Sequence, residues 1–292
     1  MNQLSHRLFL SFLILFGILI AVAVLARNVE YYFLPMEERP FHERYNDLKP
    51  SGIESHGYGI IGTAMITIGV IMYSSRKRVR AFRQIGKIKY FLEFHIFLCL
   101  IGPVLVLYHT TFKFGGLVAV SFWSMSAVAF SGVLGRYLYQ HIPKNIEGNE
   151  LSAKELEEKG KMMLDSLHST YALNEQAVKA LRELGKPMAH IDEAGLFTLL
   201  WYLLISDLSQ KRRIMLIKNT LNKYSVDKHS MKKVVAIVND HIVFQQRIAV
   251  LEKVQEIFHY WHVIHLPFSI IMFVVLLVHV GVAITFGYTW IF

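Results

Sequence analysis

The chain alternates long apolar runs with polar connections, and five of those runs are long enough to predict helices that cross a bilayer. The first, Leu8 to Ala26, holds nineteen residues without a charge. Its flank His6-Arg7 and its end Val24-Leu25-Ala26 also fit a signal peptide, but the run exceeds the usual signal core of about 7–15 residues, which favours a retained helix. Further spans are predicted over Gly57–Tyr73, Tyr90–Thr111, Leu117–Gln140 and Val263–Phe286. Arg27 to Ser55 is mixed in charge and carries Pro35, Pro40 and Pro50, so it reads as an ordered or partly ordered loop. A tight turn at Lys113-Phe114-Gly115-Gly116 should join the third and fourth spans.

Between Pro143 and Phe258 the pattern is polar and helical, with no strand period. Ser152-Ala153-Lys154-Glu155 reads as a capping box with Leu151 and Leu156 as its staple. Asn174 caps the next expected helix, which stops at Gly185 and Pro187. Asp192 caps a third, whose apolar stretch Leu196–Ile205 is too short to span and is expected to be buried or interfacial. Helices over Lys211–Tyr224 and Met231–Phe258 lead back to the bilayer. The fold class expected is all-α: a polytopic bundle of five transmembrane helices, with a helical insertion before the last. Residues 1–142 form the first four spans, 143–258 the insertion and 259–292 the last span.

Charge sets the orientation. Arg76, Lys77, Arg78, Arg80, Arg83, Lys87 and Lys89 follow the second span with no acidic residue among them, which marks that connection as cytoplasmic. The N-terminus is then inside, the Arg27–Ser55 loop outside, the insertion cytoplasmic and the C-terminus outside. A multi-pass protein of a bacterial cytoplasmic membrane is the expectation. The formal charge of +9 could suggest nucleic acid, but the basic residues cluster beside spans, where they set topology. Hydrophobic residues make up 53% of the chain, which agrees with membrane lipid as its surroundings.

Against this frame four histidines stand out. His95 and His109 lie fourteen residues apart in the third span, and His265 and His279 repeat the spacing in the fifth. Fourteen residues is just short of four turns, so each pair shares nearly one face with a rise of about 21 Å. Both spans run from inside to outside, which puts His95 level with His265 and His109 level with His279. Each level offers two imidazoles from opposite sides, the axial ligand set of a six-coordinate haem iron. A lone membrane histidine is usually a hydrogen-bonded packing residue, but four in register are hard to assign to packing. The single cysteine, Cys99, excludes an internal disulfide and an iron–sulfur cluster, and no CxxCH motif exists, so two non-covalent b-type haems are implied.

Other positions fit less sharply. Gly102 stands seven residues from both His95 and His109, where it could leave space for porphyrin edges or serve only as a flexible point before Pro103. Gly62 and Gly69 form a small-residue stripe better read as helix packing. Arg136, Lys87 and Lys89 inside, and Lys113 outside, are candidate propionate partners, although basic residues at span ends are expected for topology. His262 could replace His265, but its seventeen-residue separation from His279 favours His265. His259 and His262 on one turn are poor evidence for zinc and are expected at the interface.

The paired spacing resembles the di-haem b-type membrane cytochromes, and most closely the ferric-reductase and NADPH-oxidase type, in which the third and fifth spans carry the ligands. That resemblance implies haem ligation by His95, His109, His265 and His279, and it covers the membrane portion only. That family usually carries a flavin and NADPH module; no dinucleotide fingerprint occurs in these residues, so electrons are expected from quinol or from a separate protein.

The functional expectation is an electron-transfer subunit. It would move electrons between a quinol or cytoplasmic-side redox partner and an external one, with flavin, iron–sulfur or c-type cytochrome subunits as partner classes. Two rivals remain. A histidine-dependent proton or metal-ion transporter needs acidic partners in its spans, for which Glu93 is the clear candidate. A non-redox structural membrane subunit would use the histidines for packing alone.

Overall fold

The structure is a computed structural model that describes residues 3–82, 84–143, 155–156, 158, 160–163, 165, 175–184, 195–224 and 228–286. The expected capping box at Ser152, the caps Asn174 and Asp192, and the stop at Gly185 and Pro187 lie outside the described residues. Every regular element described is helical: α1 Gln3–Arg27, α2 Val29–Phe33, α3 Tyr45–Leu48, α4 Ile53–Arg78, α5 Ile88–His109, α6 Gly116–His141, α7 Glu175–Leu184, α8 Leu196–Leu208, α9 Gln210–Lys223, α10 Lys228–Ala249 and α11 Leu251–Thr285. Helices α1, α4, α5 and α11 are long and apolar enough to cross a membrane. The 26-residue α6 occupies the place expected for a further span.

The chain divides into two compact units, residues 1–134 with 263–292, and residues 135–262. Both α6 and α11 run on past their apolar stretches into the second unit. There Leu138 of α6, Ile142 just past its end and Val254 of α11 are buried with Leu199 and Leu203 of α8. The last long helix therefore begins at Leu251, well before its apolar run at Val263. A second core, built on Ile217, Leu221, Val234 and Val238, joins α7, α9 and α10.

In the first unit α4 and α5 pack most closely, because glycines remove the side chains between them. A Cβ at Gly62 would lie 2.6 Å from the Gly102 carbonyl oxygen, and one at Gly102 would lie 2.7 Å from the Gly62 oxygen and 2.6 Å from Ile66 Cγ1. Gly69 likewise faces Leu98 and Cys99. Small residues let two backbones approach, so dispersion contacts replace the hydrophobic drive that lipid does not supply.

Residues 28–52 are folded rather than extended. Tyr31, Tyr32 and Leu48 are buried with Tyr108 of α5. Arg39 is buried too, and its guanidinium donates to the carbonyl oxygens of Leu34 (3.1 Å), Tyr32 (2.9 Å) and Thr111 (2.6 Å). Thr111 follows the end of α5, so the cation also meets the negative end of that helix dipole. Glu54 at the start of α4 pairs with Arg44 and accepts from Tyr58 at 2.5 Å and Asn28 at 3.0 Å. The α5–α6 turn differs from expectation in detail. Its left-handed residues are Thr111 (φ 51°) and Phe112 (φ 60°) rather than the glycines that follow. A β-branched residue is strained there, and the Arg39–Thr111 bond is a tertiary constraint that holds it.

Candidate functional site

The four paired histidines line two cavities in the first unit. His109 and His279 line a cavity of about 570 Å³, with Thr63, Thr67 and Met272 among its walls. His95 and His265 line a second of about 60 Å³, with Cys99, Ser269 and Met272. Each pair thus shares one cavity, and Ile66, Met125 and Met272 line both.

The rings are held by their backbone surroundings. His109 Nδ1 lies 3.0 Å from the Ser55 carbonyl oxygen. A carbonyl only accepts, so Nδ1 carries the hydrogen and Nε2 keeps the lone pair. Gly59 makes this placement possible, since a Cβ there would lie 2.8 Å from His109 Cγ. His265 is held similarly. Ser131 Oγ donates to the Val128 carbonyl at 2.9 Å, so it accepts from His265 Nδ1 at 2.6 Å. A donor hydrogen on Nδ1 fixed by an oxygen acceptor is the usual outer support of a metal-binding imidazole.

His95 is placed differently. Its ring stacks on Tyr73 with centroids 5.3 Å apart, bonds to the backbone of Gly69, and has Nδ1 3.5 Å from Cys99 Sγ. Those contacts hold it against α4. Met272 is 4% exposed, and the space between His95 and His265 is close to the size of a few water molecules. Pockets that enclose drug-sized ligands run to about 300–1,000 Å³, so the His109–His279 cavity is of cofactor size and the His95–His265 cavity, as packed, is not.

A third histidine, His56, also lines the large cavity, with its ring 5.8 Å from that of His109 and nearly edge-on. Sequence reading placed it just outside the second span. Its signal was available: α4 begins where α5 ends, so residues near the start of α4 share a level with His109. Ser55 and Ser131 were missed as ring supports for a different reason, since a carbonyl or hydroxyl partner leaves no spacing signature.

The remaining candidates separate from the cavities. Gly102 lines neither cavity and is buried against Gly62 and Ile66 of α4. Lys113 sits in the α5–α6 turn and lines neither cavity. Arg136 lies in the second unit, over the Tyr139 ring at 5.9 Å, and lines neither cavity. Lys89 is 3.8 Å from Glu93, which His6 of α1 also approaches at 3.3 Å. Glu93 lines neither cavity, and among the described residues no Asp or Glu lines either. His259 and His262 are exposed and in the second unit, so His265 alone of that ladder reaches a cavity.

Among the described residues no group of three or more His, Cys, Asp and Glu is placed to hold a metal ion. Paired imidazoles without further protein ligands suit a metal whose other positions are already filled, as in a porphyrin. Comparison of the chain with protein-family models, with curated proteins and with solved structures gives no match.

Proposed function

We propose that this chain is a b-type membrane cytochrome that carries electrons between a quinol or cytoplasmic-side redox partner and an external-side partner. The observation that carries the reading is the 570 Å³ cavity walled by His109 and His279, with His109 Nδ1 bonded to the Ser55 carbonyl. Haem bound there would accept and release single electrons with its iron held by two imidazoles. His109 and His279 would hold its iron through ring nitrogens. Ser55 would fix the His109 ring and raise its basicity, and the mainly apolar wall would exclude water and favour the less charged state. Besides the two histidines, His56, Thr63, Thr67, Thr110 and Ser121 are the polar residues that line this cavity.

Two haems are proposed, one per histidine level, in a bundle of five spans that includes α6, with the insertion on the cytoplasmic side. The second haem, between His95 and His265, asks more of the protein. Cys99 and Met272 must repack, and His95 must leave its Gly69 contact. Among the described residues no Asp or Glu lines either cavity, whereas the transporter reading expects acidic partners within the spans.

Haem counting tests this reading. Protein purified from haem-replete cells should carry two extractable haems per chain. One haem would confine the reading to the His109–His279 level, and none would overturn it.

A further inference from the structure

Helix α8 has an outward face with no described residue packed against it. Its inward side is fixed by Leu199 and Leu203, 0% and 3% exposed, against Leu138, Ile142, Val250 and Val254. Polar bonds lock the same orientation: Tyr137 donates to Asp207 Oδ2 at 3.2 Å, His141 Nε2 lies 3.3 Å from the same oxygen, and Ser206 donates to Gln246 at 2.9 Å. The helix cannot roll to hide its other side. That side presents Phe197 (87% exposed), Trp201 (63%), Leu204, Ile205 and Leu208 (75%), which fall within an arc of about 100° that holds no polar residue. At thirteen residues the helix is about 20 Å long, too short to cross the hydrocarbon core.

The next residues along the chain point to the occupant of that face. Lys211 and Arg212 begin α9 shortly after Leu208, both exposed. A tryptophan and leucines on one side of a helix, with cations following it closely in the chain, suits a helix lying in the plane of a membrane interface. The unit that carries α8 is continuous at both ends with the apolar helices α6 and α11.

We infer that the Phe197–Trp201–Leu208 face of α8 lies in the headgroup region of the bilayer, with Lys211 and Arg212 against anionic lipid phosphates. Burial of about 5–10 Å into the boundary takes up the apolar face, and each nearby cation adds attraction to a negative leaflet. The inference is independent of haem content.

The full chain in phosphatidylcholine–phosphatidylglycerol vesicles tests it, through the emission lost in Trp201→Phe. Lipids brominated high on the acyl chain should remove most of that Trp201 component. Lipids brominated near the chain end should remove less, and aqueous iodide little. Lys211→Glu with Arg212→Glu should weaken the lipid quenching. Strong iodide quenching would overturn the inference by placing Trp201 in water. Protection from both quenchers would overturn it by placing protein on the face, and an unchanged double variant would remove the anionic-lipid part.

Discussion

His109 Nδ1 stands 3.0 Å from the carbonyl oxygen of Ser55, a residue fully buried at the start of α4. That bond fixes a tautomer and a ring plane, and it turns a histidine at a helix end into an oriented Nε2 donor at a cavity wall. Gly59, one turn along α4, leaves the gap that admits the ring.

Gly59→Leu is therefore expected to push His109 off α4. If His109 holds haem, the large cavity should lose it while the fold persists. Haem occupancy at the His109–His279 level should fall at least tenfold, following the usual effect of disturbing ligand support. Haem content and helical circular dichroism, read on the same sample, check this; unchanged haem would sink it.

Gly102→Leu should act on stability instead. The side chain would enter the space held by Ile66 and the Gly62 carbonyl, an overpacking that costs about 1–3 kcal/mol. Denaturant unfolding in detergent measures it. A variant as stable as the parent would return Gly102 to the cavity role that its spacing suggested.

Much of this was legible in the sequence. Helical rise separates the two histidines of each helix by depth, and the structure has His109 and His279 lining one cavity and His95 and His265 another. Gly102 had two readings because a face defined by His95 and His109 also faces α4, where Gly102 packs against Gly62 and Ile66, and spacing alone does not say which neighbour fills it. The unequal cavities were out of reach. They depend on how Met272, Cys99 and the α4 glycines pack, which is a property of three dimensions. The turn after α5 was placed at its glycines, yet Arg39, seventy-two residues away, lets Thr111 take the left-handed backbone.

Ser131→Ala removes the acceptor for His265 Nδ1. If His265 ligates haem, affinity at that level should drop about 10–100-fold, with the His109 level untouched. Competition with an apo-haem scavenger resolves the two levels by their rates. Equal loss at both, or at neither, would contradict the assignment.

Arg39→Leu leaves three carbonyls of the 28–52 segment and the α5 end without their donor. Each charged hydrogen bond is worth about 1.5–3 kcal/mol, so the segment should loosen. Protease added to vesicles that expose this face should cut within residues 28–52 of the variant faster than in the parent. Equal rates would show that Arg39 is not what pins the segment.

The same segment should weaken in alkali. Burial pushes the Tyr31 and Tyr32 hydroxyls above their ordinary values. A raised folded value means the stabilisation is complete below the unfolded value of about 10 and is lost as pH rises through the folded one. Tyrosinate absorbance should then appear for these two residues only with loosening of the segment. Ionisation near pH 10 in an intact segment would contradict their burial.

The most direct test of the whole account is the spectrum and haem content of His279→Ala beside the parent, both purified from haem-replete cells. The parent should show a b-type spectrum with non-covalent haem, and the variant should lose the haem of the His109 level and keep the fold. A colourless parent, or a variant with unchanged haem and spectrum, would contradict the claim that His109 and His279 hold a haem between them.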